Sequence, residues 1–140
     1  MAAVVLNDVR QVIEERVNAE LKKAPVIPVV FNNVSYTATE NSWVQCLINF
    51  GSNTYLTLGG TTSSANLVDG IVVLNVFTEI GLGAGENLEI ASRLRNLFNR
   101  VIVSGVYFDA ANGPEMQETS SPQNYFQSQI RITFETVEEL

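Results

Sequence analysis

One run of nine residues, 70–78, limits the possible folds more than any other part of the chain. It reads Gly-Ile-Val-Val-Leu-Asn-Val-Phe-Thr and is apolar on both of its alternating faces. β-Branched residues at this density favour an extended strand. A strand that is apolar on both sides is typical of the interior of a sheet, where other layers cover each face. Residues 70–78 are therefore predicted to form a central, covered strand.

Two segments, 3–23 and 86–100, have the apolar period of an amphipathic helix. In the first, every fourth residue is apolar, and Pro25 ends the helix because proline cannot continue it; the stripe is Val5, Val9, Ile13, Val17 and Leu21. The second has an acidic start and a basic end, which suits the helix dipole. Its inner stripe is Ile90, Leu94, Leu97 and Val101, widened by Ala91 and Phe98.

Four further segments read as strands. Residues 26–31 can form an edge strand at best, because Pro28 cannot donate a ladder hydrogen bond. Residues 43–50 and 125–135 alternate between apolar and polar positions, as expected when one face of a sheet is wet. Residues 101–108 look like one more strand, broken by Ser104-Gly105.

Two long segments, 51–69 and 109–124, are predicted to be loops or arms. Residues 51–68 carry no charge and are rich in Gly, Ser, Thr and Asn. Tyr55, Leu56 and Leu58 suit a β-arm that turns at Gly59-Gly60. Such an arm has too few apolar residues to be stable alone, so we expect it to need a partner surface.

These elements predict an α+β fold in one domain, residues 1–140. The order of helix, strands, helix and strands indicates a mostly antiparallel β-sheet with two α-helices packed on one face, plus a long β-arm or loop. A chain of 140 residues is long enough to bury its own core without disulfides.

The composition argues against most catalytic chemistry. There is no histidine, which removes the commonest general base and most catalytic metal ligand sets. The lone cysteine, Cys46, allows no internal disulfide and is expected to be a buried, inert thiol rather than a nucleophile. The net charge of −7 disfavours binding to nucleic acid. The carboxylates are scattered without the spacing of a hydrolytic pair or a calcium loop, so we expect no catalytic, cofactor or metal site.

The segment Gly81–Glu86 resembles a dinucleotide fingerprint, because it follows a strand and opens a helix. The third glycine of that pattern is replaced by Glu86, whose carboxylate would repel phosphate. A glycine hinge is the favoured reading, and a nucleotide-binding enzyme is the less favoured one. No membrane anchor is expected: Met1–Leu6 lacks a positive leader, and the uncharged stretch 41–68 is too polar for lipid.

The remaining candidates are contact residues rather than catalytic ones. Trp43 is either a lid over the sheet end or an interface anchor. Arg93, Arg95 and Arg100 form either a solvated helix face or ion pairs to an acidic neighbouring subunit. Together with Tyr55, Leu56 and Leu58 they make up the candidate subunit or tube interface.

The order of these landmarks resembles the tail terminator proteins of long-tailed bacteriophages. The resemblance covers nearly the whole chain, and it rests on the N-terminal helix, Pro-Val-Val-Phe-Asn-Asn-Val at 28–34, the Trp-Val strand at Trp43, Leu-Thr-Leu-Gly-Gly at 56–60, Gly-Ile-Val-Val-Leu-Asn-Val-Phe at 70–77, the Gly-x-Gly-x-Gly turn, a helix ending Leu-Phe at 97–98, a Gly-Pro loop, and Phe-Gln-Ser-Gln-Ile-Arg-Ile-Thr-Phe at 126–134.

The resemblance implies a structural virion protein without enzymatic activity, made in the host cytoplasm. It implies a homohexameric ring that caps the tail tube, ends its polymerisation and offers an interface to the head–tail connector or stopper protein. Genomic DNA would pass through the pore without specific binding, which agrees with the acidic composition. Another neck, tail-completion or head–tail joining protein is the alternative within this class.

Overall fold

The computed structural model describes residues 6–32, 42–55, 65–81, 83–117 and 125–139. Within these ranges the chain forms two α-helices and seven β-strands. The helices are α1 (Leu6–Leu21) and α2 (Gly85–Phe98). The strands are β1 (Val29–Val30), β2 (Ser42–Tyr55), β3 (Ala65–Glu79), β4 (Ile102–Val103), β5 (Val106–Phe108), β6 (Asn112–Gln117) and β7 (Tyr125–Glu139).

All seven strands belong to one sheet in the order β1-β2-β3-β7-β5-β4, and β6 also pairs with β7. The pair β1–β2 is parallel and the other pairs are antiparallel. Strand β3 lies between β2 and β7, so the central position predicted for 70–78 is confirmed. The α+β prediction is confirmed as well, and β1 is an edge strand as Pro28 required.

Both helices pack on the same face of this sheet. Most of their predicted stripes are buried, with Val9, Ile13, Val17 and Leu21 from α1 and Ile90, Ala91, Leu94 and Phe98 from α2. Leu97 and Val101 are half-buried, and Val101 lies beyond the end of α2. Val5 lies outside the described residues. They meet alternate residues of the three long strands, namely Val44, Cys46, Ile48, Val72, Leu74, Val76, Ile130, Ile132 and Phe134. Each such aliphatic side chain contributes roughly 1.5–3 kcal/mol when fully buried, so this layer is the main source of stability.

We call the face opposite the helices the second face. At one end of it Trp43 stacks on Phe77 with ring centroids 4.2 Å apart, and Tyr125 contacts both rings edge-on. In the next row Asn75 is buried. Its side-chain amide is hydrogen-bonded to the side chains of three glutamines, Gln45, Gln127 and Gln129, which satisfy its polar atoms.

The expected cover on both sides of β3 is therefore only partly correct. Among the described residues a helical layer covers one face of β3. On the second face Ile71 and Val73 are only half-buried.

The prediction of one broken strand at 101–108 is wrong. Strands β4 and β5 pair with each other as a hairpin, in which Val103 lies opposite Val106. The two turn residues, Ser104 and Gly105, have φ angles of 49° and 80°. A two-residue hairpin turn with both φ angles positive matches the twist of its strands, so the break in the pattern is the turn itself.

The prediction of a loop over 109–124 is also wrong in part. Asn112–Gln117 forms β6 and pairs with the first half of β7. Its sequence, Asn-Gly-Pro-Glu-Met-Gln, has no apolar alternation. The strand pairs with β7 through backbone hydrogen bonds at the sheet edge, and such pairing does not need buried side chains.

The predicted arm at 51–69 is described only at its base. Residues 53–55 of β2 pair with 66–68 of β3, after a register shift between Phe50 and Asn53. Strand β7 continues along β3 as far as Glu139, so the base of the arm is three-stranded. The expected turn at Gly59-Gly60 lies outside the described residues.

Candidate functional site

Trp43 lies inside the chain's own packing in this structure. Its side chain is 7% exposed and belongs to a small cluster with Val30 and Phe77. The indole thus packs at the end of the second face, as a lid would, and its role as an interface anchor stays a prediction.

The Arg93 side chain forms hydrogen bonds to the end of α1 and to the turn that follows it. Its guanidinium contacts the Glu20 carboxylate at 3.2 Å and donates to the backbone carbonyls of Glu20, Lys23 and Pro25. The last carbonyls of a helix have no partner within the helix. Arg93 therefore caps the C-terminal end of α1 and ties it to α2. Sequence reasoning missed this role because Glu20 and Arg93 are 73 residues apart.

Arg95 and Arg100 are exposed. Arg93 donates to the Glu20 carbonyl of α1, and Arg16 of α1 donates to the backbone carbonyl of Leu97 at 2.9 Å, so the side of α2 that carries Arg93 and Leu97 faces α1. Arg95 is two residues from each of them, so it points away from α1 at 100° per residue. Within the described residues the Arg95 guanidinium has no hydrogen bond or ion pair.

The arm residues are only partly described. Tyr55 is the last residue of β2 and lies opposite Asn66 in register. Leu56 and Leu58 lie outside the described residues. The structure therefore places the base of the arm within the sheet, and the contact role of these residues stays a prediction.

The turn at Gly81–Glu86 is poorly suited to a dinucleotide. It leads from β3 into α2, but β3 has antiparallel neighbours on both sides, unlike the parallel unit of that fold. Gly81 and Gly83 have φ angles of 92° and 82°, which explains both glycines as turn residues. Glu86 accepts a hydrogen bond from the Ser42 hydroxyl, so a carboxylate already lies in the first turn of α2.

Cys46 is fully buried on the helix-bearing face. Burial, with a smaller effect from the Glu14 carboxylate, raises the pKa of its thiol from the ordinary 9.0 to about 12. Because the thiolate is the reactive form, this thiol is inert at neutral pH, as the strand pattern predicted.

A group of acidic and apolar side chains at the other end of the second face was not anticipated from sequence. Asp69, Asp109 and Glu135 line one cleft of about 440 Å³. Beside it lie Tyr107 and Ile102, which are 47% and 66% exposed. We call these five residues the acidic patch.

The acidic patch is assembled by strand register. Ile102 lies opposite Tyr107, Tyr107 opposite Glu135, and Glu135 opposite Asp69, so the four side chains point from the same face. The Thr133 hydroxyl donates to the Asp109 carboxylate at 2.8 Å and holds it beside the row. The alternation over 125–135 was the one sequence signal that pointed Glu135 outward.

The described residues contain no group of three His, Cys, Asp or Glu side chains placed to hold a metal ion. In the same part of the chain, neither helix has the length and apolar character required to cross a membrane.

Comparison with known protein families decides the class of this chain. Residues 8–134 match the family model described as phage tail terminator protein. The chain belongs to the phage tail terminator family. The family is one of structural phage tail proteins, so membership places the protein in the tail of the virion, in contact with other tail components.

Other comparisons add the fold but no activity. Nineteen chains of solved structures match this one. One of them, which carries no functional name, has a TM-score of 0.71 at 16% identity, and the match covers 95% of this chain and 96% of that chain. At this identity the likeness shows the shared fold alone. No curated protein matches.

Proposed function

We propose that six copies of this terminator form a ring that caps the tail tube, ends its polymerisation and presents the interface to the head–tail connector. The observation that carries the proposal is the family match over residues 8–134. Identical subunits that meet through two different surfaces close into a ring when their rotation permits. We further propose that residues 1–140 form one domain.

The arm supports contact with neighbours in such a ring. Its strands continue past the helix-bearing core, and residues 51–68 carry no charge. An uncharged segment with Tyr55, Leu56 and Leu58 can be buried against another protein without the desolvation of ions. We propose that the arm contacts an adjacent copy or the last ring of the tube.

The charge distribution supports a pore through which DNA passes without specific binding. Four of the eight Lys and Arg residues are engaged within the chain: three in ion pairs, and Arg16 on the Leu97 carbonyl. Few cations therefore remain to neutralise phosphates, and affinity for DNA rises with the number neutralised.

A non-enzymatic role is supported by the chemistry of the chain. The sequence has no histidine, and the one thiol is buried with a raised pKa. The nucleotide-binding alternative is disfavoured by the antiparallel strands around Gly81–Glu86 and by the Glu86 carboxylate in the first turn of α2. Absence of catalysis stays a prediction.

Two measurements test the ring and the cap. Native mass spectrometry of the purified chain should show six copies, and electron microscopy should show a closed ring with a central hole. Added to polymerising tube protein of the same phage, the chain should shorten the tubes as its concentration rises. A monodisperse monomer that never binds tubes would contradict the proposal. Tubes whose length does not change with the concentration of the added chain would contradict it as well.

A further inference from the structure

The acidic patch contains an unfavourable charge arrangement. Asp69 and Glu135 lie directly opposite each other on neighbouring strands and line the same cleft. Like charges in directly opposed positions destabilise a sheet. All eight Lys and Arg residues fall within the described ranges, and none of their ion pairs involves Asp69, Asp109 or Glu135. A cation from outside the chain would relieve this repulsion.

The apolar side chains of the acidic patch indicate what kind of positively charged partner fits it. Ile102 and Tyr107 pair across the β4–β5 hairpin and are largely exposed. Val137, also exposed, lies two residues beyond Glu135 on the same face. Exposed apolar side chains next to unpaired carboxylates suit a protein surface that combines a guanidinium with apolar groups, rather than a small ion.

The chain itself carries such a surface on its other side. Leu88 and Arg95 are seven residues apart on α2, so they share one side of the helix. Met116 of β6 lies opposite Ser128, whose hydroxyl bonds to Asn87 of α2, so Met116 is on the helix-bearing side of the sheet. Leu88 and Met116 are 39% and 44% exposed. We call Leu88, Arg95 and Met116 the arginine patch.

The two patches are complementary and face opposite ways. One has three carboxylates with exposed Ile102 and Tyr107, and the other has an unpaired guanidinium with exposed Leu88 and Met116. One is on the second face and the other on the helix side, so they are two different surfaces, and a head-to-tail ring is built from contacts between two different surfaces. We propose that the arginine patch of one copy docks on the acidic patch of the next, with Arg95 inserted beside Asp69 and Glu135. This assignment rests on the proposed ring.

Charge reversal tests the assignment. Arg95→Glu and Glu135→Arg each place like charges in contact, so we expect each variant alone to raise the dissociation concentration of the assembly at least tenfold. Glu135→Arg puts opposite charges across from each other at Asp69, so it should not impair folding. Lys22→Glu makes the same charge change as Arg95→Glu on an exposed residue outside both patches, and it should assemble like the wild type.

An equimolar mixture of the two variants provides the decisive measurement by light scattering or native mass spectrometry. Every contact in an alternating ring then pairs opposite charges, so assembly should return to within about threefold of the wild type. If both variants assemble like the wild type, or the mixture stays dissociated, the patch assignment is wrong while the ring stands. If the wild-type chain is monomeric at every concentration, the ring proposal fails and the assignment fails with it.

Discussion

At the scale of single residues, Arg93 shows how one side chain joins two elements. Its guanidinium pairs with the Glu20 carboxylate and also donates a hydrogen bond to the Glu20 backbone carbonyl in the last turn of α1. Both members of the ion pair are only about one-fifth exposed, so their interaction is less screened by water than that of a surface pair.

Arg93→Ala should therefore lower the free energy of unfolding by about 1–3 kcal/mol, because it removes hydrogen bonds from a charged donor. Urea denaturation measures the change. Arg131→Ala is the matched control, since it removes an ion pair of similar length, 3.1 Å, whose partners are both more than half exposed. Its effect should stay below about 1 kcal/mol. Equal losses for the two variants would contradict the capping role.

Cys46 should be almost unreactive toward a thiol reagent in the folded protein. At pH 8 labelling should require opening of the core, so denaturant should speed it by several orders of magnitude. Because folding raises the pKa of the thiol from 9.0 to about 12, the unfolded chain loses this proton first. The thiol should thus reduce stability only as the pH rises from 9 to 12. Rapid labelling of the native chain would contradict this account.

At the scale of elements, α2 and the sheet are fixed by polar as well as apolar contacts. Asn87 is buried and donates to the Val76 and Phe126 carbonyls, and Ser128 donates to its side-chain oxygen. These bonds set where α2 begins on the sheet. The apolar stripe alone fixes only which side of the helix faces inward.

Strand β3 has a position where only glycine fits. A Cβ atom on Gly70 would lie 2.5 Å from the Asn49 carbonyl oxygen and 2.5 Å from the Phe134 ring. Gly70→Ala should therefore destabilise the fold by about 1–3 kcal/mol through overpacking. Gly85→Ala is the control, because a Cβ atom there meets nothing within 4 Å, and it should be neutral or slightly stabilising. Thermal unfolding of both variants compares them, and a neutral Gly70→Ala would be unexpected.

The arm should be dispensable for folding but required for assembly. Tyr55 lies opposite Asn66, so a two-residue Asn-Gly turn in place of residues 56–65 can close the hairpin. The shortened chain should keep its urea midpoint, since the helix-bearing core is untouched, and should lose tube capping in the polymerisation assay. A shortened chain that still limits tube length would show that the arm is not a contact element.

At the scale of the whole molecule, the sequence predicts the layers better than the contacts between them. The position of the central strand, the alternation of β7 and most of the stripes of α1 and α2 follow from local periodicity, and the described residues confirm them. Strand β6 was missed because edge pairing needs no apolar pattern. The acidic patch was missed because Asp69, Tyr107 and Glu135 meet only through the register of three strands. Arg95 was anticipated as a contact residue, but its side of α2 is defined only by the packing of α1.

The location of the protein in the virion tests the central claim most directly. Cryo-electron microscopy of intact particles should place six copies of this fold in a single ring between the last tube ring and the head–tail connector. The acidic patch of each copy should then face the arginine patch of its neighbour. Density for this fold at the distal end of the tail, or repeated along the length of the tube, would contradict its assignment as the ring that ends the tail.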